Sequence, residues 1–308
     1  MKFISAIVFA IFLVACNSAT PTPEPTANVS AILTVTAPVK AGSVSSSATS
    51  AASAVTGKRP LIIAHRGGAG LAPENTLGAF DNALKLGGVD MLECDVHLSK
   101  DGELIIMHDP NVSTTTDGNG QISELTFAEI KKLNDAAKFA DKKWSPQVVP
   151  TLGEVLDLVK GKVGIQIEIK NTATGGRYPG IEKQVIDLIN ARGMANDVIV
   201  ISFDFPTLKE VKAINSRIKT GALVRADWFM LRSPEKSVSD AIDPTGADYL
   251  MPTASPVNQQ IVDAAHARGI KMGVWTVDTQ AEMKRYAGFG IDAITTNRPD
   301  ELKKALGR

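Results

Sequence analysis

Several short groups of ionisable residues interrupt otherwise apolar runs of this chain. Glu93 and Asp95 stand two apart within Met91-Leu92-Glu93-Cys94-Asp95-Val96. The two-residue period of a strand turns both carboxylates to one face. The apolar flanks imply burial, where adjacent acids repel unless a positive charge lies between them. Oxygen-rich sets of this kind suit hard cations such as Ca2+ or Mg2+. An isolated pair so spaced is more often a solvated face, so the neighbouring groups decide its meaning. Glu168 and Lys170 repeat the spacing at the end of Val163-Gly164-Ile165-Gln166-Ile167-Glu168-Ile169-Lys170. Glu168 offers a third carboxylate to one metal cage, and Lys170 a point charge to an anionic oxygen. His65 and Arg66 follow directly on Leu61-Ile62-Ile63-Ala64, with Gly67 and Gly68 behind them. The planar fork of Arg66 can grip two oxygens of a phosphate. His108, followed by Asp109, ends the run from Leu104. Imidazole titrates near neutral pH, which makes His65 and His108 the candidate general acid and base, in either order. Trp275 reads equally as an apolar wall of a binding site or a core tryptophan. His97 lies on the Asp95 face with a rim or structural role, and His266 is a peripheral helix residue.

What must position these groups can be read from the apolar pattern. Strand-like runs at 61–64, 91–98, 104–108, 163–170, 198–203, 220–225, 249–252, 272–277 and 293–296 alternate with helix-period segments at 75–86, 152–159, 181–191, 208–214, 258–268, 281–286 and 300–306. That alternation predicts an α/β fold with a parallel sheet and crossover helices. Residues 58–308 have about the length of a (β/α)8 TIM barrel, whose active site lies at the carboxyl ends of eight strands. Nine runs are one too many. Only Ser99-Lys100-Asp101-Gly102-Glu103 separates the second from the third, whereas parallel neighbours need a crossover of about a dozen residues or more. The two therefore form an antiparallel hairpin that returns His108 to the level of Glu93 and Asp95. Residues 110–150 exceed an ordinary connection and predict a small inserted lobe after the second strand, with one helix at 126–133.

In order along the chain stand His65-Arg66-Gly67, Pro73-Glu74-Asn75-Thr76, Glu93-Cys94-Asp95-Val96, Lys100-Asp101-Gly102, His108-Asp109, Pro150-Thr151-Leu152, Glu168-Ile169-Lys170 and Trp275-Thr276-Val277. This succession, from about residue 60 to 300, resembles the signatures of glycerophosphodiester phosphodiesterases. The resemblance implies a TIM barrel with an insertion, one divalent cation, two catalytic histidines and water-soluble glycerophosphodiesters as substrates, cleaved to glycerol 3-phosphate and an alcohol. It leaves two routes open: attack by the glycerol 2-hydroxyl through a cyclic phosphate, or direct attack by water. Asp278 stands where relatives often carry Asn, and Asn297 where many carry Asp. Alternative readings are a related barrel phospholipase acting on membrane phospholipids and a tethered, non-catalytic surface-binding lipoprotein.

The remaining features bear on location and partners. Met1 and Lys2, an apolar run from Phe3 to Ala15, and Leu13-Val14-Ala15-Cys16 have the layout of an export signal, and the last four residues resemble a bacterial lipobox. Residues 1–16 are thus expected to be a lipoprotein signal peptide with Cys16 as lipid anchor. Residues 17–57, rich in Ala, Ser, Thr and Pro, are expected to be a disordered tether. The expected location is the extracytoplasmic side of a membrane, in the periplasm or at the cell surface, with membrane contact through the anchor alone. Lys+Arg and Asp+Glu balance at 33 each in 308 residues, which gives no general field for nucleic acid or anionic membrane. The expected partner is a small-molecule glycerophosphodiester, and no protein partner is inferred. Cys94, in an apolar run, reads as a small core residue.

Overall fold

The computed structural model describes residues 59–308; the expected signal peptide, Cys16 and the tether of residues 17–57 lie outside them. Nine strands run through this region: β1 (Leu61–Ala64), β2 (Met91–Leu98), β3 (Leu104–Ile106), β4 (Gly164–Ile169), β5 (Val198–Ser202), β6 (Lys219–Val224), β7 (Tyr249–Pro252), β8 (Lys271–Val274) and β9 (Ala293–Thr296). β1 pairs in parallel with β2 and with β9, and parallel pairing continues through β8, β7, β6, β5 and β4 back to β2. Eight strands therefore close a barrel. The surplus strand is β3, antiparallel to β2 with Val96 opposite Ile106 and Leu98 opposite Leu104.

Alternation along the strands divides the apolar side chains between two cores. Ile62, Leu92, Cys94, Ile165 and Ile167 face outward onto the helices, while Ile63, Met91, Ile199, Ile201, Leu223 and Met251 fill the barrel interior. Each fully buried Ile or Leu contributes about 1.5–3 kcal/mol of transfer free energy. The interior is tight enough that a Cβ added at Gly273 would collide with the Met251 thioether. Because Leu92, Cys94 and Val96 point outward, Glu93 and Asp95 point in.

Helices begin where the capping chemistry says they should. The helix Leu152–Val159 starts in a Thr151/Glu154 capping box, which satisfies two otherwise orphaned backbone donors. The helix expected from residue 75 starts at Leu77 because Thr76 is its cap and Asn75 turns away with φ 58°. The helix Pro234–Ile242, capped by Ser233, was not among the expected segments. Its apolar stripe is only Val238, Ala241 and Ile242, too short to stand out by periodicity, and the signal that was present is the Ser-Pro start. In the inserted lobe the helix expected at 126–133 is the single turn Phe127–Ile130. The lobe has its own small core of Ile105, Met107, Val112, Ile122, Ile130 and Val149. Among the described residues, no helix is long and apolar enough to cross a membrane.

Candidate active site

The carboxyl end of the barrel opens into a cavity of about 540 Å³, lined among others by His65, Glu93, His108, Glu168, Lys170 and Trp275. β2 and β4 run in register with Asp95 opposite Glu168 and Glu93 opposite Gln166. The third acid thus arrives beside the first two across a strand pair, and one oxygen from each of Glu93, Asp95 and Glu168 lies within 4.8 Å of the others. His65 and Arg66 sit on a tight turn leaving β1, where Arg66 adopts a left-handed backbone (φ 52°, ψ 33°). Such a conformation costs a non-glycine residue about 1–2 kcal/mol. Here it accompanies a hydrogen bond from the Arg66 N–H to Glu93 Oε2 at 2.8 Å. Gly67 next to it has φ +82°, and an added Cβ would press on Ala79 and Phe80 at 2.9 Å. His108 follows β3, and the Met107 N–H donates to the Asp95 carbonyl at 3.1 Å, so the hairpin brings His108 back to the acids as expected.

Two cations serve the acids. Lys170 Nζ lies 2.8 Å from Glu168 Oε1 and 3.4 Å from Asp95 Oδ1. Arg66 places Nε 3.5 Å from Asp95 Oδ2, and its Nη1 pairs with Glu74 at 2.9 Å. Asn75 donates to Asp95 Oδ2 at 2.9 Å. Burial opposes the charge of Asp95, but Lys170 and Arg66 outweigh it and hold this carboxyl well below the usual carboxylate range. Glu93 goes the other way: burial, then the neighbouring Asp95 and Glu168, push it well above its ordinary value. Burial lifts Glu168 to about 7 against the opposing pull of Lys170. Arg66 Nε has no hydrogen-bond partner in the protein. Three clustered acids, two of them raised in part by their acidic neighbours, are short of positive charge despite Lys170 and Arg66, and three hard oxygen donors with that deficit fit a divalent cation. Glu93, Asp95 and Glu168 are the residues that would hold it.

The histidines differ in their partners. His65 Nδ1 donates to Asn297 Oδ1 at 2.7 Å, with Nε2 on the side of Glu93 Oε2 at 3.9 Å. His108 Nδ1 donates to Asp109 Oδ1 at 2.8 Å. Burial, reinforced by the Arg66 charge, pushes His65 down to about 4, and burial also lowers His108. His97 is fully buried; its Nε2 donates to the His108 carbonyl at 3.1 Å and its Nδ1 accepts from Tyr178 Oη at 2.9 Å. It takes the structural of its two expected roles, and His266 pairs peripherally with Asp292 at 2.9 Å.

The sequence model of the glycerophosphoryl diester phosphodiesterase family matches residues 65–301. The chain belongs to that family. Among its enzymes, one from Caldanaerobacter subterraneus subsp. tengcongensis, described as a glycerophosphodiester phosphodiesterase, is 36% identical over 249 residues, 79% of this chain and 96% of the relative. A Bacillus subtilis glycerophosphodiester phosphodiesterase is 32% identical over 261 residues, covering 80% of this chain and 86% of its own length. An Oleispira antarctica phosphodiesterase, solved in complex with the product sn-glycerol-3-phosphate, superposes with a TM-score of 0.71 at 27% identity, over 81% of this chain and 98% of that one.

His65, Arg66, Glu93, His108, Glu168, Lys170 and Trp275 line this one cavity, and Asp95 adjoins it through the acid cluster; the Lys100–Gly102 hairpin tip and the Pro150–Leu152 helix start are not in its lining. Trp275 is half-buried in its wall, edge-on to Phe203 with ring centroids 5.6 Å apart, and its Nε1 donates to the Met251 carbonyl. Phe203, Arg225 above it at 4.8 Å, and the Asp278–Asn297 pair behind His65 were not foreseen. Phe203 and Arg225 carried the usable signal of any residue just past a barrel strand. The contact of Asn297 with His65 spans 232 residues of sequence and left no local trace.

Proposed function

We propose that this chain hydrolyses water-soluble glycerophosphodiesters to glycerol 3-phosphate and an alcohol, using one divalent cation, Ca2+ or Mg2+, on Glu93, Asp95 and Glu168, with His65 and His108 moving the protons. The observation that carries this reading is the convergence, in one cavity, of two histidines from different loops on a charge-deficient set of three acids. A phosphodiester anion repels nucleophiles and releases a poor alkoxide, so catalysis needs charge neutralisation and proton transfer on both sides. Glu93, Asp95 and Glu168 would hold the cation, which would supply charge neutralisation at a phosphoryl oxygen and a lowered pKa for a hydroxyl nucleophile. Arg66 and Lys170, both on the cavity wall, offset the remaining phosphate charge. His65, bonded through Nδ1 to a neutral amide, has its Nε2 lone pair free to take the proton of the nucleophile. His108 donates from Nδ1 to the Asp109 carboxylate, which opposes part of the lowering by burial and orients the ring to protonate the leaving oxygen through Nε2. The nucleophile is the glycerol 2-hydroxyl or a water molecule, and trapping of a cyclic phosphate distinguishes them. Phe203 and Trp275 supply an apolar wall for the substrate's carbon skeleton.

The test is turnover of glycerophosphocholine by the full chain. EDTA is expected to abolish it and Ca2+ or Mg2+ to restore it. His65→Ala and His108→Ala are each expected to lower kcat by about 10²–10⁴-fold with the circular dichroism spectrum unchanged. Activity surviving exhaustive chelation overturns the cation, and near-normal rates in both variants overturn the proton-transfer assignment.

One observation favours the second reading, action on intact phospholipid. Met230 and Leu231, 78% and 96% exposed, stand on the loop after β6 at the cavity end of the barrel. Faster cleavage of phosphatidylcholine vesicles than of glycerophosphocholine selects that reading. The proposal extends to location: Cys16 as a lipid anchor and residues 17–57 as a tether would hold the enzyme on the extracytoplasmic face of a membrane, and Cys16→Ser is expected to release it into the soluble fraction.

A further inference from the structure

We infer that Asp278 and Asn297 act as a positioning pair that decides which ring nitrogen of His65 carries its proton. The geometric part stands alone; its catalytic consequence rests on the reading of His65 as the proton acceptor.

Asp278 lies beyond the end of β8 and Asn297 directly after β9, and neither belongs to the acid cluster. The Asp278 carboxylate accepts three hydrogen bonds: Oδ1 from the Asn297 backbone N–H at 2.8 Å and from Thr296 Oγ1 at 3.0 Å, and Oδ2 from Asn297 Nδ2 at 2.8 Å. A carboxylate has only acceptors to offer. The Asn297 amide must therefore turn its NH2 toward Asp278, which sends its carbonyl oxygen the other way. That oxygen lies 2.7 Å from His65 Nδ1. Since it too is an acceptor, His65 must carry a proton on Nδ1 and, when neutral, keep the Nε2 lone pair toward the cavity and Glu93. The Asn297 backbone is held at the same time, its carbonyl accepting from Gly70 N at 3.0 Å. An exposed carboxylate at the barrel rim thus sets a tautomer at the centre of the site through one intervening amide, as a partner on one ring nitrogen generally dictates the state of the other.

The sign of the effect can be reversed by chemistry. In Asp278→Asn the new amide oxygen stays with the two donors, Asn297 N and Thr296 Oγ1, so its NH2 faces the Asn297 amide. That amide then flips, presents its NH2 to His65 Nδ1, and drives the ring proton to Nε2. Adding Asn297→Asp restores an acceptor at both ends: one oxygen takes the amide at 278, the other takes His65 Nδ1–H.

The experiment combines ring 15N–1H correlation spectra of the full chain with steady-state turnover of glycerophosphocholine. The chain has four histidines, and the His65 signals are assigned by their loss in His65→Gln. The expected result is an Nδ1–H tautomer in the parent and an Nε2–H tautomer in Asp278→Asn, with kcat down by about a hundredfold. In the double variant Asp278→Asn/Asn297→Asp, both tautomer and rate return. An Nε2–H tautomer in the parent, or an unchanged Nδ1–H tautomer in Asp278→Asn, overturns the positioning pair whatever the rate does. A flipped tautomer with unchanged kcat upholds the pair and overturns the role of His65 as proton acceptor.

Discussion

Asp95 at the barrel mouth and Asp135 in the inserted lobe are almost equally buried, 1% and 3% exposed, yet they answer the cost of burial in opposite ways. Around Asp95 the fold places Lys170, Arg66 and the Asn75 amide, and the carboxyl stays ionised well below its ordinary range despite burial. Asp135 has one partner, Thr115 Oγ1 at 2.6 Å, and its Oδ2 is unpaired. Burial pushes it up to about 8; the Thr115 hydrogen bond opposes this, and the charge of Glu74 adds to it. Burial alone therefore does not decide the state of an acid here. Fixed positive charge does, and the loops of the barrel deliver that charge to one region and not to the other.

The largest break in this comparison is Asp95→Asn, which removes the acid that both cations address. Turnover is expected to fall on the order of a thousandfold, equivalent to about 4 kcal/mol of transition-state stabilisation, and added Ca2+ or Mg2+ should not restore it. A variant that regains the parent rate at high cation concentration would show that Asp95 only tunes the site.

Asp135→Asn tests the other side. A carboxyl raised from 3.8 to about 8 on folding leaves stability intact below pH 3.8, and that contribution is lost as pH rises through about 8. The amide removes this loss, for a gain of at most about 6 kcal/mol in alkaline solution. Chemical denaturation from pH 4 to 9 should show the parent weakening and the variant nearly flat, with turnover at pH 7 close to the parent's. Parallel curves would mean that Asp135 is not protonated in the folded lobe.

Glu74 connects the two regions, pairing with Arg66 at 2.9 Å and raising Asp135 by its charge. Glu74→Gln is expected to be the mildest change, costing about 1 kcal/mol or less as a partly exposed ion pair. It should shift the Asp135 midpoint in the same pH series downward; an upward shift would break the link.

Periodicity and loop length carried most of the architecture. The five-residue separation of β2 from β3 makes the hairpin legible in the sequence, because parallel strands cannot be joined so briefly. The alternation of Leu92, Cys94 and Val96 with Glu93 and Asp95 turned the acids inward. Those are properties of neighbours in the chain, and together with the family motifs they made His65, Arg66, Glu93, Asp95, His108, Glu168 and Lys170 legible in the sequence as one set. What only the tertiary structure decided depends on residues that meet across the barrel. Closure of β9 onto β1 brings Asn297 to His65 across 232 positions. The lobe fold gives Asp135 the Thr115 hydroxyl and no paired cation, and the register of β2 with β4 sets Glu168 opposite Asp95. The charge state of a buried group is the sum of fields from every element packed around it, and no local stretch of sequence contains that sum.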